Sequence, residues 1–317
     1  MPPLLPLLTP QDTDAFDDAL DDAELAAART ALAQGRWQAV RSLLLHTGDD
    51  WDRRGHRVTV LAREPHAAPW VHGWLRAEPA SADAATLLAL ALVQRALRGD
   101  EAPDRAREAC RAAAALTPAD PTPWLGLLRL ERTMGPHRQV LRAFAEVRGR
   151  HPEHHHAHHL LTARLAERRQ DQPRGAHGAR GAHEVYDFAE RCAAEAPADS
   201  PLAVLPAVAL AERYRVLAAA GLAPADPATW GHWYRARARR VLEAAFDWWL
   251  EWEHDDHPRR HVDLNHLAFA MSCAGRPAEA AALFRRIGRH ATPAPWSYPH
   301  RDPREAFGRA RAHALAF

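Results

Sequence analysis

The feature that most constrains this chain is an apolar register that repeats. Between Pro121 and Pro152 it runs Trp124, Leu127, Gly135, Val140, Phe144, Val147 and Pro152. The same order returns at Leu90, Val93, Leu97, Ala106, Cys110, Ala113 and Pro118. It returns again at Leu264, Leu267, Met271, Gly275, Ala280, Phe284 and Ile287. Apolar residues three and four apart share one helix face, and the break between the two halves of the register is a turn. Each unit therefore reads as two antiparallel helices. One such pair cannot bury its apolar face alone, so the repetition itself predicts stacking on neighbours.

The spacing within Pro121–Pro152 resembles the tetratricopeptide repeat (TPR), a helical pair of about 34 residues with a Trp/Leu/Gly, Ala/Phe/Ala, Pro pattern. The resemblance covers about two-thirds of the chain. It implies an all-α fold, a right-handed superhelix of stacked antiparallel helical hairpins. It also implies recognition of a protein or peptide on the concave face, lined by first-helix positions. Those positions are Leu125, Arg129 and Arg132 in one repeat, His156 and His159 in the next, and Asn265 and Phe269 in the last complete one. Arg129 and Arg132 have the chemistry to hold a peptide carboxylate by bidentate pairing, and equally that of solvated charges. Trp124 and Phe144 are expected in the core of one hairpin.

Organisation follows the register. Residues 1–20 read as a Pro-rich, then acidic, lead-in. Residues 21–199 carry TPR-like repeats interrupted by a Gly- and Pro-containing insertion at 170–182, expected to be a flexible loop. Residues 200–317 hold longer helical hairpins, with helices expected over 201–220 and 229–254, then one clean repeat and a terminal capping helix.

Ala, Leu and Arg dominate, the composition of helices. The formal charge of +1 gives no global field for nucleic acid. All 41 basic residues are Arg, which fits a high-GC coding bias and excludes Schiff-base chemistry and a P-loop lysine. Cys110, Cys192 and Cys273 fall in helical patterns without a CxxC pair, as expected of reduced thiols in a cytoplasmic protein. MPPLLPLLTP lacks the basic region and cleavage site of a signal peptide, and no apolar run reaches the ~18 residues of a membrane span.

Histidine is the anomaly, with 21 in the chain and six between His151 and His159. His154 and His158 are four apart, as are His155 and His159, so each pair lies on one helix face with the spacing to chelate Zn²⁺, Ni²⁺ or Cu²⁺. A site needs a third ligand, and His177 and His183 are the nearest candidates across the insertion. A packing reading stands beside this one: His158 occupies the Trp position of the repeat, wedged between helices, and the others form a polar groove wall. A second cluster comprises Glu251, Glu253, His254, Asp255, Asp256, His257, His261, Asp263 and His266. It contains the donor types of a two-His-one-carboxylate Fe(II) triad, and equally a solvated helix boundary.

An aromatic cluster runs from Trp230 to Trp252. Its packing reading is an inter-helix core; the alternative is an exposed patch for a partner. There is no HExxH, GxSxG or Gly-rich phosphate loop. The expected function is a protein- or peptide-binding scaffold without a cofactor. The alternatives are a metal-dependent enzyme or metal-binding accessory protein, with Zn, Ni, Cu or Fe at the histidines, and a regulatory helical module of a signalling system.

Overall fold

Caps and turn residues set where each helix begins and ends. Asp22 accepts a hydrogen bond from Leu25 N to open α1 (Ala23–Ala33), and Asp50 accepts from Arg53 N to open α3 (Trp51–Leu61). Ser81 opens α5 (Ala82–Arg98) in the same way, and Gly99 closes it in the left-handed region at φ 85°. Pro stands in the first turn of α6 (Pro103–Leu116), α7 (Thr122–Met134), α11 (Leu205–Ala219) and α14 (Pro277–Ile287), where its missing N–H costs nothing. The remaining helices are α2 (Trp37–Thr47), α4 (Ala67–Ala77), α8 (His137–Arg150), α9 (His155–Glu167), α10 (Gly178–Glu195), α12 (Ala236–Trp252), α13 (Arg260–Cys273), α15 (Pro293–Trp296) and α16 (Pro303–Leu315). The computed structural model describes residues 16–168, 178–252 and 256–317, and those residues contain no strand.

Neighbouring helices pack in pairs, α1 on α2, α5 on α6, α7 on α8 and α13 on α14. A second set of contacts links first helices to one another, α5 to α7, α7 to α9, α9 to α11 and α11 to α13. α3 reaches both α7 and α9. That reach needs a small residue, and Gly55 supplies it: a Cβ there would lie 3.2 Å from His154 Nε2 and from a Leu125 methyl. Gly126 does the same between α7 and α5, where a Cβ would be 2.8 Å from Leu90 Cδ1.

The two ends of the described chain meet. Phe16 packs edge-on against Phe307, with ring centroids 6.3 Å apart. Asp21 takes ion pairs from Arg260 and, at 3.3 Å, from His261. Arg53 donates to the Asp256 carbonyl. The inward helix faces are therefore enclosed by the chain itself. Polar residues among them, such as Arg54 on Asp83 and Asp120, are held by buried ion pairs.

The apolar core divides within α5, with one cluster from Ala19 to Ala91 and a second from Ala89 to Ala314. Residues 199 and 200 mark no break in it, because α11 packs on α9 and α10. Three sequence expectations are adjusted here. Trp124 is only half-buried, with the Arg150 guanidinium 5.2 Å from its ring centroid. The helix expected from residue 229 starts at Ala236, because Trp233 sits in a short 3-10 turn where its Nε1 donates to the Pro227 carbonyl at 2.8 Å. The helix expected from residue 201 opens with a 3-10 turn, Pro201–Val204, before α11. Of the insertion at 170–182, residues 178–182 open α10, and the rest lies outside the described residues. Most of the lead-in, 1–15, lies outside them too.

One buried pair gives the fold an acid limit. Glu212 accepts from Tyr298 Oη at 2.6 Å and pairs with Arg215 at 2.8 Å. Burial pushes its pKa up, but the charges of Arg215 and Arg132, the Tyr298 hydrogen bond and the charge of His266 outweigh burial and hold the carboxyl below its ordinary value of 4.5. A depressed folded-state pKa contributes stability that is fully present above the unfolded value and lost as pH falls through the folded one. Thermal melts between about pH 5 and pH 3 should therefore show a steeper loss of Tm in the parent than in Glu212→Gln. Parallel acid limbs would show that Glu212 is not the group responsible.

Candidate metal centre

Asp52 organises the start of α9 from another helix. It lies in the first turn of α3, and its Oδ1 accepts from the His155 backbone N at 2.9 Å. This caps an N-terminus whose own flanking residue, His154, makes no side-chain cap. The other carboxylate oxygen, Oδ2, is 2.8 Å from His151 Nε2. Burial raises the Asp52 pKa, and the His151 hydrogen bond and neighbouring histidines overcome it, so the group is held well below the usual carboxylate range. The result fixes the rotation of α9, and with it the direction of its histidines.

Across from α9 stands Asp263, in the first turn of α13. His155 Nε2 lies 2.7 Å from Asp263 Oδ2, and His159 Nε2 lies 3.1 Å from Oδ1. The three ligand atoms sit within 4.8 Å of one another. His155 and His159 are stacked one turn apart, with ring centroids 4.2 Å apart. Burial pushes His155 down to about 3, so its imidazole is neutral near pH 7. Asp263 is held well below the usual range: burial opposes ionisation, and the adjacent His155 and His159 imidazoles overcome it. The arrangement is thus an ionised carboxylate between imidazoles, all in a buried site.

The carboxylate is incompletely satisfied. Asp263 Oδ1 is buried and receives no hydrogen bond, because His159 Nε2 is close but not aligned to donate. His155 Nδ1 is likewise buried without a partner. Bonds of about 2.0–2.1 Å to one divalent ion place cis octahedral ligands about 2.8–3.0 Å apart and tetrahedral ligands about 3.3–3.4 Å apart. The contacts of 2.7 and 3.1 Å run to different Asp263 oxygens, and the three ligand atoms lie within 4.8 Å of one another, a spacing that side-chain adjustment can bring around one ion. Two further imidazoles surround the triad. The His257 ring is 4.7 Å from that of His155, and the His266 ring is 5.8 Å from that of His159. His266 Nδ1 donates to the Val262 carbonyl at 2.8 Å, which leaves its Nε2 as the atom with a free lone pair.

A cavity of about 320 Å³ adjoins the centre. Asp52, His151, His257 and Asp263 line its polar side, and Trp51 and Trp249 its apolar side. A ligand of modest size thus has access to the carboxylate edge of the cluster.

The four histidines singled out as ligands separate into two sets. His155 and His159 converge with Asp263. His154 and His158 form no chelate: His158 Nδ1 donates to the His154 carbonyl at 2.9 Å, and its ring packs between Phe144 at 5.1 Å and Phe188 at 6.2 Å. His154 is fully buried, 3.3 Å from Asp52 Oδ1 without hydrogen-bond geometry. His177 and the side chain of His183 lie outside the described residues, as do Glu253, His254 and Asp255.

The expected groove residues also divide. Leu125 and Phe269 are enclosed in the apolar core, since Phe269 packs on Trp296, Trp233 and Tyr214. Asn265 is a buried bolt that donates to the His261 and His290 carbonyls and accepts from Trp296 Nε1 at 2.8 Å. These three therefore face packing partners rather than an open groove. Arg132 pairs with Glu167 at 2.7 Å. His156 lines a cavity described below, and Arg129 is close enough for its charge to act on His156. Asp52 was invisible as a site residue in the sequence, where it reads as an ordinary acidic first-turn position. No family model and no curated protein sequence matches this chain.

Proposed function

We propose that the protein is a TPR-like helical-repeat scaffold that binds one divalent transition metal at His155, His159 and Asp263. The observation that carries the reading is the buried, incompletely satisfied Asp263 carboxylate facing two imidazoles from one helix turn. Two nitrogens and one carboxylate are the donor set of Zn²⁺ and Fe(II) sites that keep coordination positions open. Those positions would be completed by His257, by water or by a small ligand entering from the adjoining cavity. The neighbouring Asp52 and His151 would then orient that ligand by hydrogen bonds.

The test is calorimetric titration of untagged full-length protein with Zn²⁺, Fe²⁺ under anaerobic conditions, and Mg²⁺. Binding of one equivalent of Zn²⁺ or Fe²⁺, far tighter than Mg²⁺ and weakening as pH falls, is the expected result, since protons compete for imidazole nitrogen. Weak binding to several equivalents would dismiss the centre. The second reading, a scaffold that recognises a protein segment, rests on the paired-helix array itself and on the exposed Leu45, Leu141 and Leu250 of second helices α2, α8 and α12. It would then be the one left standing.

A further inference from the structure

On the other side of α9 lies a second cavity of about 270 Å³, between α3, α9 and the start of α13. Its lining is rich in hydrogen-bonding groups that have nothing to bond. His56 Nε2, Thr59 Oγ1, His156 Nδ1 and Arg259 Nε are buried without a partner. His56, Thr59 and His156 are 3%, 2% and 7% exposed, so bulk water does not satisfy them. Arg129, 9% exposed, does not line the cavity but is close enough for its charge to act on His156; its Nη2 donates to Gln94 at 3.1 Å and its Nη1 has no partner.

The cavity has one lining guanidinium, Arg259, that no carboxylate pairs directly. Asp17 and Asp18 also line it, but each is already engaged: Asp17 accepts both Arg29 Nη atoms at 2.6 and 2.7 Å, and Asp18 pairs with Arg63 at the mouth. Neither Arg129 nor Arg259 forms an ion pair with a carboxylate among the described residues. Burial and mutual repulsion act on both. Burial lowers Arg129 to about 9, with further lowering by Arg63 and Arg259. Burial lowers Arg259 to about 10, opposed by the charges of Asp263, Asp52 and Asp18 and helped by that of Arg63. Arg259 lies in the field of Asp263, Asp52 and Asp18, and Arg129 in that of Asp18, but no carboxylate pairs directly with either guanidinium.

We propose that this cavity binds a small oxyanion, a carboxylate or phosphate group, held by Arg259 with hydrogen bonds from His56, Thr59 and His156, and with the charge of Arg129 nearby. The guanidinium fork suits a planar carboxylate or a phosphate face, and the neutral donors complete the remaining lone pairs. Arg63 guards the mouth, exchanging between Asp18 and the incoming anion. The site draws on α3, α9 and the α12–α13 connection, so the anion also cross-links the early and late parts of the chain.

The experiment uses untagged full-length protein, with inorganic phosphate and succinate as probes against chloride of matched ionic strength. Saturable one-to-one binding and a Tm that climbs with probe concentration are expected. The stronger probe distinguishes a phosphate site from a carboxylate site. Arg129→Met and Arg259→Met should each weaken binding by at least about tenfold. In anion-free buffer Arg129→Met should melt at or above the parent temperature, because it removes a buried charge that no carboxylate pairs. A purely structural arginine would behave oppositely, lowering Tm with and without anion, and that result would overturn the site. Absence of saturable binding by either probe at millimolar concentration would overturn it as well. Should a buried substitution prevent folding, Arg63→Gln at the half-exposed mouth serves instead: weaker binding supports the site and unchanged binding refutes it.

Discussion

Asp263→Ala is expected to abolish tight divalent-metal binding while leaving the protein helical. The substitution removes the anionic ligand and the group that aligns both imidazoles, since His155 and His159 each face one of its oxygens. Two imidazoles four residues apart remain, a weak bidentate chelate. A loss of at least about 100-fold in affinity follows, equivalent to ~2.7 kcal/mol. The cost to the metal-free fold is smaller. His155 Nε2 loses its acceptor, a penalty of ~1–3 kcal/mol, but a buried carboxylate charge is removed along with it. The two effects separate in one measurement: saturating Zn²⁺ should raise the parent's Tm and leave that of Asp263→Ala unchanged. Asp263→Asn sharpens the test. Asn keeps an oxygen to accept from His155 but carries no charge, so a hydrogen-bond network with no metal role would tolerate it. Metal affinity equal to the parent's in either variant would sink the proposed centre.

How far the sequence carried the argument depends on the range of each interaction. Helix pairs such as α7 with α8 and α13 with α14 were legible because their apolar register, turn and caps lie within a few dozen residues. Local punctuation misled only where side chains overrode it. Trp233 and Trp230 read as helical residues, but the Trp233 indole reaches back to the Pro227 carbonyl and holds the segment in short 3-10 turns. The candidate centre was only half legible. One-turn spacing placed His155 with His159, and composition singled out the stretch around Asp263. Nothing local relates the two, because Asp263 meets His155 across 108 residues. That contact exists because Gly55 admits α3 against the start of α9 and because Asp21 ties α13 back to the beginning of the chain. The same enclosure explains the fate of the expected groove. Positions that would face solvent in an open array here face one another, which buries His156 and Arg129 and leaves their polar atoms unsatisfied.

Trp296→Ala is expected to give the largest loss of stability of any single substitution considered. Trp296 is 1% exposed and packs against Phe269, Phe284 and Phe307 at centroid distances of 5.6, 5.6 and 5.3 Å. It thereby joins α13, α14 and α16, the last three long helices of the array. Truncation leaves a cavity among rings that cannot collapse into it, at a cost of ~3–5 kcal/mol. It also removes the indole donor from Asn265 Oδ1, which keeps only the longer bond from Thr292 N at 3.3 Å. For a chain of this size the combined loss lowers Tm by about 5–10 °C. Trp296→Phe separates the two contributions, because it keeps most of the ring volume and loses only the hydrogen bond, worth ~1 kcal/mol. Trp124→Ala is the informative contrast. Trp124 holds the equivalent landmark in the sequence register, yet it is half-buried under Arg150 and should cost clearly less. Melting curves that rank Trp296→Ala well below both Trp296→Phe and Trp124→Ala would show that enclosure by the closing helices, rather than register position, sets the stability of the array. Equal losses at Trp124 and Trp296 would reverse that conclusion.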